Sequence, residues 1–489
     1  MSRSSAQQVD LAALAAQVML DRGLEPEFPD EAIRQAGKLQ GPARAADEEK
    51  VRDLRALPWA SIDNDDSRDL DQLTVADELG DGSVRVMVAI ADVDALVRKN
   101  SPVDVHARRN TTSVYTAARI FPMLPERLST DLTSLNQSEE RIAVVVSYTV
   151  DSEGSVHDPE LCRALVHNKA KLAYNAVAAW LDGGGPMPPV MAAAEGVADQ
   201  ITLQDRVAQT LCERRHEHGA LVLSSLETRA IMEEGVVVDI VHEEKNRAHE
   251  IIEDFMIAAN GVVARFLEEH GLPSFRRVVR SPERWDRIEA LAADFGEALP
   301  PDPDPVALQR FLLRRRRADP VSFPDLSLTV IKLLGRGEYA VHQPGETPDG
   351  HFGLAVRDYS HSTAPNRRYP DVITQRIVKS ALRGSPVAYG PAELDELAQH
   401  CTEQEDAAKK VERQIAKSAA AMLLVRMIGR TFEGIVTGAK QKGVWVRIFQ
   451  PPVEGRVVAG GSKLEVGDRV RVKLVEADVL RGYIDFVLD

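Results

Sequence analysis

The chain has 489 residues, 44% of them hydrophobic and 28% charged, which is enough apolar material for a large core and for about three domains. Its formal net charge of −15 excludes a protein coated in nucleic acid, because non-specific binding rests on Lys and Arg neutralising phosphates; any nucleic-acid path has to be local. No apolar run reaches the roughly 20 residues that cross a bilayer, Met1 to Gln8 lacks the regions of a signal peptide, and Cys162, Cys212 and Cys401 lie far apart, so we expect a cytoplasmic protein with free thiols and no membrane partner.

In chain order, Gln8 to Arg22 carries Leu11, Leu14, Val18 and Leu20 at helical spacing, and a second helix starts at Phe28-Pro-Asp30-Glu-Ala-Ile33 with Asp30 as its cap. Together they predict a small helical domain over residues 1–48, either a helix-turn-helix-like module or a plain packing unit.

The stretch Ser61-Ile-Asp63-Asn-Asp65-Asp66-Ser-Arg68-Asp69-Leu-Asp71-Gln72 follows, with five aspartates within nine residues. Carboxylates this close repel, and they persist in a fold when a cation shares them or when they stay solvated. Their hard oxygens suit Mg²⁺ or Mn²⁺, and Mg²⁺ is commonly held by one or two carboxylates, waters and substrate phosphates, which points to phosphate chemistry. A calcium loop of the EF-hand type needs Gly at its sixth position and Glu at its twelfth; counted from Asp63 those positions hold Arg68 and Thr74. An Asp-rich, water-facing turn is the remaining alternative. The flanks argue against it, because Pro58-Trp59 on one side and the strand-like Val84 to Val93 on the other make the acidic loop a connection between core elements.

Strand-like runs (Val84 to Val93, Ile142 to Val150) and turns (Asp81-Gly82, Glu153-Gly154) over residues 51 to 160 predict a mixed α and β core. Helical periodicity dominates afterwards, at Ala170 to Leu181, Ala194 to Arg215 and His249 to His270. The Gly- and Pro-rich stretches 183–189 and 300–305 are loops, and neither glycine run opens a helix as a phosphate-binding loop would, so no nucleotide cofactor is expected. Basic residues gather at Arg276-Arg277 with Arg280, at Arg310 and Arg314 to Arg317, and at Arg367-Arg368; runs such as Arg314 to Arg317 are most often solvated faces. From Arg430 five short strands with tight turns predict an OB-fold barrel over residues 429–489.

Ile62-Asp63-x5-Asp69-Leu-Asp71 resembles the first motif of the ribonuclease II family, the catalytic RNB domain. Ala89-Ile-Ala-Asp92-Val, Thr112-Ser-Val-Tyr115, Pro122-Met-Leu-Pro125-Glu126-x-Leu-Ser129 and Ser134-Leu-Asn136 follow in that family's order and spacing. Arg357 to Asp371 is similar to its second motif, Ser-Pro-x-Arg-x-Tyr-x-Asp, with Ala364 in place of the usual serine and Ser362 in place of the usual aromatic. The last segment resembles the S1 kind of RNA-binding domain, and the resemblance covers roughly residues 50 to 489. Relatives usually open with two cold-shock OB-folds. About sixty residues precede the acidic motif here, too few for even one such barrel plus a linker, so a short form without them is expected.

The resemblance implies an α+β multidomain protein: a mixed α/β RNB core over residues 49–428 between the helical head and the barrel. The implied activity is hydrolytic 3′-to-5′ exonuclease action on single-stranded RNA, releasing nucleoside 5′-monophosphates, by a monomer. Asp69, Asp71 and Arg367 would be catalytic, and Asp63, Asp69, Asp71 and Gln72 would hold Mg²⁺, or Mn²⁺. An arginine suits the scissile phosphate because its fork of donors grips it bidentately. Arg368 would add an RNA contact, with Asp371 in support. Tyr174, in Lys169-Ala-Lys171-Leu-Ala-Tyr174, would stack on the last bases, which tolerates any sequence. Glu253 would contact ribose hydroxyls, Tyr115 and Glu412 would line the channel, and Trp445 with Lys440, Lys442 and Phe449 would meet RNA on the barrel. Trp445 is open to either role, groove or barrel core.

One departure stands out: the family motif runs Asp-x-Asp-Asp, and here Asp69-Leu-Asp71 is followed by Gln72. An amide oxygen still binds Mg²⁺ but brings no charge, unless Asp65 or Asp66 folds back to restore it. This motivates the alternative of a nuclease-inactive RNA-binding protein. A metal-dependent phosphoesterase acting on small nucleotides is a further alternative, against which the terminal OB-fold argues.

Overall fold

A seven-stranded sheet forms the centre of the body, in the order Val51–Asp53, Val156–His167, Glu140–Val150, Val84–Ala91, Gln72–Glu78, Ala60–Asp63, Ala170–Ala173. The computed structural model describes residues 9–45, 50–224, 227–440, 443–461 and 464–489. The central strands pair antiparallel, with Gln72 opposite Ile90 and Ile90 opposite Val144. Both edge strands are added parallel.

Alternation along these strands divides the core between two layers. Ile62, Val86, Val88, Ile90, Val144, Val146 and Tyr148 face the helices Val197–Glu217 and Arg247–Glu269, while Leu73, Val75, Ala89, Ala143, Val145 and Val166 pack with Trp59 and Leu135. The polar side of this packing is satisfied as well: the Thr74 hydroxyl donates to Gln204 Oε1 at 2.8 Å and the Trp59 indole to Leu54 O at 2.8 Å.

Two local expectations need correction. Ala170 to Leu181 is not one helix: Ala170–Ala173 is a strand paired with Ala60–Asp63, and the helix begins at Tyr174. The open edge of the sheet offers these four residues backbone partners, and that outweighs their local helical propensity. Asp30 is not a cap: Pro29 takes the N-cap position without a side-chain hydrogen bond, and Asp30 is the first helical residue, where its charge meets the positive helix end. It is Asp10 that caps the first helix, Leu11–Asp21, accepting from the backbone of Ala12 at 2.8 Å and Ala13 at 3.1 Å.

The first helix buries Leu11, Ala15, Val18 and Met19 and leaves Leu20 exposed. Leu11 joins the cluster of the barrel, whereas Ala15, Val18, Met19 and Leu24 pack with Val114, Phe121, Ala408, Val411 and Ile415. In the second helix Ala32 and Ala36 enter the main core. The buried residues of both helices thus pack on the body, while Leu20 and Ile33 stay exposed.

The helix Pro391–Leu424 has 34 residues, so it is about 51 Å long at 1.5 Å per residue, and its last turns, Ala419 to Leu424, share the barrel's cluster. The closed barrel consists of Thr431–Lys440, Gly443–Ile448, Val453–Ala459, Arg469–Asp478 and Tyr483–Leu488, the five strands expected. Its interior is filled by Val436, Val446, Ile448, Val472, Leu474 and Phe486. A Cβ on Gly455 would fall 2.4 Å from the Phe486 ring, so only glycine fits there. Arg447 reaches from the barrel to Asp325 Oδ1 at 2.7 Å, binding it to the helix Phe323–Leu334. Among the described residues no helix is long and apolar enough to cross a membrane.

Candidate active site

The acidic loop joins the strands Ala60–Asp63 and Gln72–Glu78, and the segment Ser134-Leu-Asn136 clamps it. Leu70 N–H donates to Ser134 Oγ at 2.9 Å, the Ser134 hydroxyl reaches Arg68 O at 2.8 Å, and Leu135 N–H donates to Leu70 O at 3.0 Å. Within the loop, Asp63 Oδ1 accepts from Asn64 N–H at 2.7 Å and from Ser67 Oγ at 2.8 Å. Asp65 and Asp66 are exposed.

Asp71 lies at the floor, 2% exposed. Its Oδ1 accepts from the backbone N–H of Asn366 at 2.8 Å. Its Oδ2 is buried and makes no hydrogen bond among the described residues, and Arg367 Nε stands 3.4 Å from it. Burial pushes the Asp71 carboxyl up to about 8; Arg367 opposes that shift and the charge of Asp69 adds to it. Asp69 is raised too, mainly by burial and further by Asp63. The side chain of Arg367 is 46% exposed, so the guanidinium spans from the buried carboxylate to the open crevice.

The loop that presents Arg367 is fixed from several sides. Arg367 O accepts from Ser113 N–H at 3.0 Å and from Thr112 Oγ1 at 3.1 Å, and Tyr369 N–H donates to Thr111 O at 2.7 Å. Thr133 donates to Asn366 Oδ1 at 2.6 Å. Asp371 Oδ1 accepts from Ala364 N–H at 2.8 Å and from Arg368 Nη2 at 2.7 Å. Ala364, where the motif usually has serine, is therefore held through its backbone. Arg368, only 23% exposed, is engaged inside this loop.

Among the described residues no three Asp, Glu, His or Cys side chains converge on one point, so the protein alone does not complete a cation cage. The donor chemistry nevertheless fits a hard divalent ion: two crowded carboxylates penalised by burial, one of them with an oxygen that makes no hydrogen bond among the described residues. Substrate phosphate and water commonly supply the remaining ligands of Mg²⁺. Gln72 is 8% exposed at the start of its strand, beside this floor, and its amide makes no hydrogen bond among the described residues.

Two aromatic candidates, Tyr115 and Tyr174, lie by the acidic residues of the floor. Tyr115, 39% exposed, donates its hydroxyl to Asp69 Oδ2 at 3.3 Å, and its backbone N–H donates to Glu412 Oε1 at 2.9 Å. Glu412 thus holds the strand that carries Tyr115. Tyr174 opens its helix directly after Ala173, the residue paired with Asp63; burial raises its phenol, and the charges of Asp63, Arg367 and Glu253 act on it. Glu253 is paired with Lys245 at 2.9 Å and 39% exposed. Trp445 is half-buried outside the barrel's interior, with Gly438 against its ring, and Arg469 lies over Phe449 at 6.0 Å. Lys442 lies outside the described residues.

Other basic runs are not on this surface. Arg276 and Arg277 are buried at 1% and 8%, paired with Asp358 and Glu405, and Arg277 also lies 4.8 Å from the Tyr339 ring. Arg314 pairs with Glu297 and Arg315 covers Phe295 at 4.2 Å. Sequence reasoning missed Asn366, Thr133 and Ser134 as the clamps of the site. The motif Ser134-Leu-Asn136 carried a signal, since polar residues between apolar runs are kept for a hydrogen bond.

The profile of the RNB domain matches residues 51–384, and that of the RNase II-type exonuclease C-terminal S1 domain matches residues 430–489. Ribonuclease R of Thermotoga maritima is 30% identical over 499 residues, covering 94% of this chain and 68% of that protein. Ribonuclease R of Escherichia coli K12 is 30% identical over 501 residues, covering 95% of this chain and 59% of that protein, so the chain spans about three fifths of its length. The solved structure of Mycoplasma genitalium RNase R in complex with ribose methylated single-stranded RNA superposes with a TM-score of 0.86 at 24% identity, covering 98% of this chain and 78% of the other.

Proposed function

We propose that this chain, which belongs to the RNB family of ribonucleases, is a hydrolytic exoribonuclease that shortens single-stranded RNA from its 3′ end and releases nucleoside 5′-monophosphates. The observation that carries the reading is the meeting of two remote loops at one carboxylate: Asn366 N–H on Asp71 Oδ1, Arg367 beside Oδ2. A buried carboxylate with one oxygen that makes no hydrogen bond is costly in itself, and a site that adds cations and phosphate repays that cost.

Asp63, Asp69, Asp71 and Gln72 are the residues that would hold a divalent cation, Mg²⁺ or Mn²⁺, which when bound lowers the pKa of water and neutralises phosphate charge. Arg367 binds a non-bridging phosphate oxygen through its exposed guanidinium while Asp71 fixes its orientation. Tyr115, oriented by Glu412, keeps Asp69 in place and faces the sugar. Tyr174 stacks on the terminal bases and Glu253 reads ribose hydroxyls. Arg368 supports the arginine loop rather than the strand of RNA, and the barrel's Trp445 face guides the RNA toward the crevice. Residues 49–428 are the catalytic body and residues 429–489 the RNA-binding barrel, acting together as a cytoplasmic monomer.

The test is incubation of a 5′-labelled single-stranded RNA with Mg²⁺. Stepwise shortening with release of mononucleotides is expected. RNA binding without any shortening, at every divalent concentration tried, would overturn the reading in favour of the nuclease-inactive alternative.

A further inference from the structure

Tyr174 does not stand alone. The imidazole of His249, on the first turn of the helix Arg247–Glu269, lies against its ring with centroids 3.8 Å apart and planes 13° apart. Among the described residues no other ring stacks on Tyr174. The imidazole is itself held: Asn246 N–H donates to His249 Nδ1 at 3.2 Å, and Asn246 Oδ1 accepts from His249 N–H at 3.3 Å, a reciprocal capping box. Asn246 Nδ2 further donates to Asn175 Oδ1 at 2.9 Å, so the two helix starts that carry the stacked rings are tied together.

We propose that His249 is a positioning residue for the RNA end: it backs the Tyr174 ring and fixes its plane, so that the terminal base completes a three-layer stack of base, tyrosine and imidazole. The proposal rests on the reading of Tyr174 as the stacking platform. A free tyrosine at a helix start swings between rotamers, and a base that lands on it has to offset the loss of that freedom. A ring already held parallel on one face removes this cost before RNA arrives. The chemistry recognised is a nucleobase of any kind, because every base has a π face.

His249 also serves the helix cap, and two substitutions separate the roles. Glutamine is an ordinary partner at this position of a capping box but has no ring, whereas phenylalanine keeps a flat ring and loses the cap. On a short single-stranded RNA, His249→Ala and His249→Gln are both expected to raise KM about threefold to tenfold, leave kcat at saturating RNA nearly unchanged and lengthen the final product; His249→Phe is expected to return KM and product length to those of the unaltered protein. Restoration by Gln but not by Phe would mean that His249 is only a cap and overturns the proposal. Unchanged KM in all three variants overturns it as well. Tyr174→Ala, measured in parallel, keeps the two failures apart. If it raises KM and His249→Ala does not, the His249 proposal alone fails; if it leaves KM unchanged, the platform reading of Tyr174 fails first. On the Tyr174→Ala background, His249→Ala should add nothing.

Discussion

The backbone N–H of Asn366 donates to Oδ1 of Asp71 at 2.8 Å across 295 positions of sequence. This bond fixes the distance between the acidic loop and the arginine loop, because the neighbour of Asn366 is Arg367, whose Nε stands 3.4 Å from the other oxygen of the same carboxylate. The carboxylate is therefore a mechanical joint as well as a chemical group, and its replacement by an amide separates the two properties.

Asp71→Asn keeps an oxygen able to accept from Asn366 N–H and removes the ionisable carboxyl. Hydrolysis should fall by about a thousandfold or more, while affinity for RNA stays within a few fold because the proposed RNA contacts are spread over crevice and barrel. Thermal stability should be unchanged or higher, since the charged form is the one that burial disfavours. Turnover near that of the unaltered protein would remove Asp71 from the reaction.

Arg367→Lys should be nearly as damaging as Arg367→Ala. The guanidinium pairs with Asp71 through Nε, its other nitrogens make no hydrogen bond among the described residues, and an ammonium cannot serve both sides. A lysine variant with most of the original kcat would show that only a point charge is needed.

Gln72→Asp should lower the concentration of divalent cation needed for half-maximal activity. Asp65 and Asp66 are exposed, so the loop does not fold them inward to replace the charge that position 72 lacks. Activity titrated against Mg²⁺ and against Mn²⁺ should give curves displaced to lower metal for the variant. Superimposable curves would show that position 72 is not a ligand.

Ser134→Ala should reduce both stability and kcat. It leaves the buried Leu70 N–H without its acceptor, at a cost of about 1–3 kcal/mol, and frees the acidic loop from its clamp. Denaturant midpoints report the first effect and turnover at saturating RNA the second; a loss of stability with intact kcat would show that the clamp has no catalytic consequence.

RNA should be degraded much faster than DNA of the same sequence, since the proposed function gives Glu253 the reading of ribose hydroxyls. Comparable rates would exclude ribose reading.

The elements legible in the sequence are those whose cause is local. Five aspartates in nine residues, a fork of donors at Arg367 and five short strands after Arg430 each declare their chemistry or periodicity within about sixty residues. Three of the barrel's pairings join strands adjacent in sequence, which alternation and turn residues specify, while the two that close it, Thr431–Lys440 with Arg469–Asp478 and Val453–Ala459 with Tyr483–Leu488, join strands further apart. Membership of the family followed from the same short motifs, carried by residues 51–384 and 430–489.

Long-range partners decided the remainder. Ala170–Ala173 became a strand because the edge at Ala60–Asp63 was open to it, and that pairing brings Tyr174 next to Asp63. Arg276 and Arg277 look like an RNA-binding pair in the sequence, but Asp358 and Glu405 meet them in the interior and neutralise them. Glu412 holds Tyr115 by its backbone, and His249 finds Tyr174 75 positions away. In each case the side chain's chemistry was written in the sequence and its partner was not, because hydrogen bonds, ion pairs and ring stacks act over a few ångströms of space, and only the folded chain determines which residues come that close.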